Sequence, residues 1–157
     1  MTDINNEEEI ENSKAPLVSH LIELRDRLKW AVIAFFIAFL GSYFVADHIY
    51  TFLVKPLEIT YKDMGYENPR MIYTGLTEAF FTYLKVSFYS ALFISFPVIA
   101  TQIYKFAAPG LYKNERQAFY PFLIATPVLF ILGAALVYYF IFPLAWKFFL
   151  GFQTTGI

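Results

Sequence analysis

QAFYPFLIATPVLFILGAALVYYFIFPLAW, residues 117–146, is thirty residues without one charged side chain. As a helix it extends about 45 Å, whereas a hydrocarbon core of about 30 Å is crossed by about 20 apolar residues. Two more runs follow the same rule. Trp30 to Ala46 is 17 residues without a charge, and Val86 to Tyr104 is 19. The second of these reaches back to Ala79 once Lys85 is allowed. Three such runs in 157 residues leave little chain for a separate soluble domain. The pattern predicts an all-α polytopic membrane protein with three transmembrane helices, at about 30–46, 79–104 and 117–146.

Composition agrees. Apolar types make up 58%, above the roughly 45–50% of soluble domains. Charged types make up 16% and are segregated between the runs, so the net charge of −1 says little. Asp3, Glu7, Glu8, Glu9 and Glu11 mark residues 1–15 as an acidic, disordered tail. With no cysteine there is no disulfide, thiol nucleophile or cysteine-bound metal. The N-terminus is acidic and the first run starts near residue 30, so no cleavable signal is read and that run is a permanent span.

Residues 16–29 read as an interfacial helix. Leu17, Leu21, Leu24 and Leu28 share one face, and His20, Glu23 and Arg27 share the adjacent one. Ser13 is the expected N-cap, with Pro16 in the first turn. Lys14, Arg25, Arg27 and Lys29 precede the first span, and Lys105, Lys113 and Arg116 lie between the second and third. The loop 47–78 carries three basic residues against five acids. By the positive-inside rule the N-terminus and the 105–116 loop are cytoplasmic, and the 47–78 loop and the C-terminus are outside. Within that external loop His48–Leu57 predicts a short amphipathic helix on the outer surface. Thr74 or Thr77 is the expected cap of the second span, and Lys85 snorkels outward. Pro97 predicts a kink in the second span, as do Pro121, Pro127 and Pro143 in the third. Gly133 permits close helix contact there.

The catalytic inventory is thin. His20 and His48 are the two histidines, and no HExxH, GxSxG, Walker or GxGxxG motif occurs. None of the three runs holds Asp, Glu or His, which argues against an intramembrane enzyme and against a proton relay through these helices alone. No cofactor, metal or nucleic acid is implied. Two carboxylates at span ends remain, Glu23 and Glu115. Near the bilayer the falling dielectric strengthens their attraction for a guanidinium, which meets a carboxylate bidentately. The plain reading is that Glu23 pairs with Arg27 at i,i+4 and Glu115 with Arg116 or Lys113, contacts worth roughly 0–1 kcal/mol. Pro109-Gly110 marks a turn that presents Glu115, and Phe106 offers an apolar shelf beside it.

HLIELRDRL (20–28) and FPVIATQIYKFAAPGLYKNER (96–116) together resemble two segments of the TatC family, the multispanning subunit of the twin-arginine protein translocase. Pro56 matches a proline of that family's first external loop. The resemblance runs from about Pro16 to the end of the chain. It implies a receptor, not an enzyme, in the cytoplasmic membrane of a prokaryote. The receptor would bind twin-arginine signal peptides of folded cargo at the cytoplasmic face, with TatA- and TatB-type single-span partners and as a homo-oligomer in the assembled complex. Glu23 and Glu115 match the acids that take the arginine pair; Phe106, Leu111 and Tyr112 match the surrounding loop. His20, Arg25, Pro97, Pro109 and Pro56 match residues that shape the site. The family has six spans, so the resemblance implies that this chain is part of a longer one. The competing reading is a small three-span transporter or channel subunit, disfavoured by the charge-free spans.

Overall fold

Between Pro16 and Pro56 no proline interrupts the chain, and one helix runs through the expected interfacial helix and on to Phe44 in the first predicted span. The computed structural model describes residues 2–67, 70–108 and 113–152, without the side chains of 2–6, 9, 13 and 113–116. Helix α1 spans Thr2–Phe44, α2 Ala46–Asp63, α3 Leu76–Ala107, α4 Lys113–Leu136 and α5 Phe142–Gly151, with a π-helical turn at Val137–Ile141 between the last two. There is no strand among the described residues. Among the described residues three stretches are long and apolar enough to cross a membrane: Ile10–Phe44, Leu76–Ala107 and Gln117–Gly151.

Several boundaries differ from the sequence reading. Helix α1 starts at Thr2, so helix occupies the stretch expected to be a tail, Ser13 is not an N-cap, and no break separates 16–29 from the first span. Glutamates are good helix formers, and acids near an N-terminus suit the helix dipole. The helix expected at 48–57 runs six residues further, to Asp63. Gly65 stops it: at φ 84° it supplies the left-handed residue of a Schellman turn, in which Gly65 N–H donates to Lys62 and Tyr66 N–H to Tyr61. Gly75, not a threonine, is the N-cap of α3, although Thr74 takes part. Its N–H and Oγ1 donate to Glu78 Oε2 at 2.8 and 2.9 Å.

The packing is inside out by the standard of a protein in water. Among the described residues the buried apolar side chains are four alanines, Pro56, Leu57 and Leu150, while phenylalanines, leucines and isoleucines crowd the surface. Such a surface is stable only in lipid, where apolar side chains gain nothing by hiding. What lies inside is small. The most extensive helix contact is α1 against α3. Ala31 and Ser42 of α1 and Ser87, Ala91, Ser95 and Ala100 of α3 are buried. Small residues let the two backbones approach closely. Two serines satisfy their hydroxyls within their own helix: Ser87 Oγ donates to Tyr83 O at 2.7 Å and Ser95 Oγ to Ala91 O at 2.6 Å. The helices run antiparallel, as shown by Arg27 against Gln102 and Phe35 against Phe88. Helix α4 returns along α3, with Phe130 stacked on Phe96 at 4.1 Å and Tyr104 hydroxyl bonded to Thr126 at 3.0 Å.

Prolines shape the helices, but not all as kinks in open lipid. Helix α3 continues across Pro97, and α4 across Pro121 and Pro127. The π turn lies just ahead of Pro143, with Phe142 N–H reaching back to Val137 O. Widening the ring by one residue is a known way to accommodate such a position. Pro56 removes the N–H that Phe52 O would otherwise receive. Tyr138, from the π turn, supplies the missing donor: its hydroxyl reaches Phe52 O at 2.7 Å, and its ring stacks on Phe52 at 4.4 Å and 5°. The third membrane helix thereby caps a vacancy in α2.

This arrangement predicts a specific non-additivity. Tyr138→Phe leaves a carbonyl without a partner and is expected to lower stability by about 1–3 kcal/mol. In a Pro56→Ala background the restored N–H takes over, and the same change should be close to neutral. Thermal unfolding of the four proteins in one detergent measures the cycle; equal effects in both backgrounds would contradict it.

Candidate functional site

The register of α1 on α3 brings the 20–28 motif to the last turns of α3, at the end of the bundle away from α2. His20 lies flat on Phe106, ring centroids 4.2 Å apart and planes 17° from parallel. One turn further along α1, Glu23 turns one oxygen toward His20, Oε2 to Nδ1 at 3.8 Å. Its other oxygen accepts from Arg27: Oε1 lies 3.0 Å from Nη2 and 3.2 Å from Nε. The remaining terminal nitrogen of Arg27, Nη1, crosses to Gln102 Oε1 on α3 at 3.3 Å. The i,i+4 pairing read from the sequence is therefore present, with a second helix added to it.

Glu23, Arg27 and Gln102 line a cleft of about 410 Å³ whose wall also includes Ser19, Ile22, Asp26 and Trp30. Glu23 and Arg27 are each about a third exposed, at 32% and 29% of their side-chain surface. The carboxylate is thus reachable from solvent while sheltered enough for its charge to matter. Among the described residues no cluster of His, Cys, Asp and Glu is suited to a metal. The chemistry available around the opening is polar contact: two acids, one guanidinium, one amide and one aromatic surface, with the His20–Phe106 stack beside it.

The structure places the other predicted residues as follows. His20, Glu23 and Phe106 come together. Arg25 does not join them; its side chain is 76% exposed and lies 3.6 Å from Asp26 Oδ1. At 100° per residue, position 25 points some 160° away from position 23, which explains the separation. Pro97 sits within α3, about one and a half turns before Gln102, and takes no part in the cleft wall. Pro56 is at the far end, in α2. Glu115 falls in the first turn of α4, but its side chain lies outside the described residues, as do Pro109, Leu111 and Tyr112 altogether. Gln102 and Trp30 were not singled out by sequence reasoning as cleft residues. Gln102 stood within the quoted 96–116 motif as an uncharged side chain, and only the helix register reveals it.

A larger cleft, about 600 Å³, opens at the opposite end between α2 and the stretch after it, beside Tyr50, Glu58, Tyr61 and Arg70. Burial pushes the Tyr50 phenol up to about 12, helped by the nearby Tyr73, Tyr83 and Glu78. That keeps it a neutral donor, and its hydroxyl lies 3.1 Å from Met71 Sδ.

Residues 19–157 match the family model described as Sec-independent protein translocase protein (TatC). A Sec-independent protein translocase protein TatC of Magnetococcus marinus is 54% identical over 144 residues, covering 92% of this chain and 52% of the relative. The protein of that name from Escherichia coli is 39% identical over 142 residues, covering 90% and 54%. A crystal structure of the twin arginine translocase receptor TatC superposes with a TM-score of 0.73 at 36% identity, covering 87% of this chain and 57% of that one. The chain spans about half the length of the curated relatives it matches.

The His20–Phe106 stack yields a direct test. Phe106→Ala removes the surface that covers one face of the imidazole. Acylation of His20 by diethyl pyrocarbonate, followed in a His48→Gln background, should then run several-fold faster. An unchanged rate would mean that the two rings do not cover each other.

Proposed function

Because the chain belongs to the TatC family of Sec-independent protein translocase proteins, a family of membrane translocase components and not of enzymes, we propose that it serves as a receptor for twin-arginine signal peptides. In this reading the His20–Gln102 end of the bundle faces the cytoplasm, in the inner membrane of a prokaryote. Glu23 takes one guanidinium of the arginine pair, Glu115 takes the other, and Phe106, Leu111 and Tyr112 contact the residues around them. His20 and Pro109 shape the site, while Arg25, Pro97 and Pro56 lie away from the cleft. TatA- and TatB-type single-span proteins, further copies of the same subunit and the folded cargo are the proposed partners.

One observation carries the reading: Glu23 lies in a cleft that already holds a guanidinium through two acceptors from two helices. The geometry suits arginine and not lysine. A planar fork reaches a carboxylate and an amide oxygen together, whereas an ammonium is a point charge with a large hydration shell. Each charge-assisted hydrogen bond contributes roughly 1.5–3 kcal/mol. Two arginines held at two carboxylates thus give discrimination, while the apolar part of a signal adds affinity along the exposed spans without sequence detail.

The test is photo-crosslinking of an Arg-Arg signal peptide to the full-length protein in membranes. Glu23→Ala and Glu115→Ala are each expected to lower the yield at limiting peptide by about tenfold or more, as loss of one such bond implies. A Lys-Lys peptide should crosslink weakly to wild type and be little affected by either change. Undiminished crosslinking in both variants would rule out the site.

A further inference from the structure

Arg27 is more than a neighbour of Glu23. Both of its bonds to the carboxylate fall on a single oxygen, Oε1, and leave Oε2 facing only the His20 ring at 3.8 Å. A guanidinium paired at full strength uses both carboxylate oxygens, so this pair is submaximal. The third bond goes to a neutral acceptor on another helix, Gln102 Oε1. Glu23 and Gln102 thus form a two-helix cradle for a guanidinium, one charged acceptor and one neutral, opening into the cleft beside Trp30. Nothing in that acceptor set depends on the guanidinium coming from position 27.

Building on the signal-receptor reading, we propose that Arg27 is an internal stand-in for the signal's arginine, displaced when the signal binds, and that Gln102 is a second acceptor for the incoming guanidinium. Exchange is easy because the resident pair is weak. An accessible i,i+4 ion pair gains little over its solvated partners. A displaced Arg27 regains solvent, since its side chain already reaches the surface of the cleft. The resident guanidinium also keeps Glu23 from being left unpaired while no signal is present. It sets a threshold that a lysine cannot cross: an ammonium replacing Arg27 at Glu23 cannot at the same time bridge to Gln102. Gln102 thereby contributes to the choice of arginine without adding charge.

The experiment uses full-length protein in nanodiscs and fluorescent signal peptides bearing Arg-Arg or Lys-Lys. Arg27→Gln, which removes both the competitor and a like charge, is expected to tighten Arg-Arg binding by about two- to fivefold. Arg27→Lys, which keeps the charge and the stem but not the fork, should move affinity in the same direction and serves if the first variant does not insert. Gln102→Leu leaves Arg27 and Glu23 in place and should reduce the preference for Arg-Arg over Lys-Lys by about tenfold. Weaker or unchanged binding on replacing Arg27 overturns the stand-in role and makes Arg27 a residue that positions Glu23. An unchanged preference in Gln102→Leu removes Gln102 from recognition. Glu23→Gln separates the two levels: if it binds like wild type, the receptor reading itself fails, and if it binds weakly while Arg27→Gln gives no gain, only the stand-in role fails.

Discussion

The close approach of α1 and α3 governs everything else in this molecule. In lipid no hydrophobic force drives helices together, so contact must come from fit. The fit here is made of alanine and serine, with Ala91 and Ser87 fully buried. A large side chain at either position would push the helices apart or rotate one against the other. The register they fix sets Arg27 opposite Gln102 and His20 on Phe106. The arrangement of polar groups at one end of the pair is therefore a consequence of packing in its middle.

The second constraint is backbone satisfaction. A proline inside a helix withdraws a backbone donor and leaves a carbonyl to be satisfied elsewhere. The structure meets this at Pro56 by bringing in a hydroxyl from 82 residues further along, Tyr138. The same tyrosine stands in the π turn ahead of Pro143. Two irregularities, in α2 and in the third membrane helix, are thus joined at a single side chain.

Legibility from sequence follows from which interactions are local. The three membrane helices were evident because charge-free runs of 17 to 30 residues have one stable form in lipid. The shared face of His20, Glu23 and Arg27 follows from the 3.6-residue period alone. Boundaries were less evident: α1 has no stop signal at either side of residue 16, and the end of α2 depends on the positive φ of Gly65. Arg25 was expected to shape the site because it stands in the motif, yet helical geometry turns it outward. Gln102 was invisible for a different reason. Its contact with Arg27 depends on the axial offset between two helices, and small-residue contacts do not announce their register in the sequence.

The unbroken length of α1 carries a mechanical consequence. From Glu23 to Phe44 it is a rigid lever about 30 Å long, ending at the residues that place Asp47 against Tyr83. A tilt of about 5° at the Glu23 end would swing the far tip by about 3 Å, enough to make or break a hydrogen bond. An event at one mouth of the bundle reaches the other only through the α1–α3 packing that lies between them.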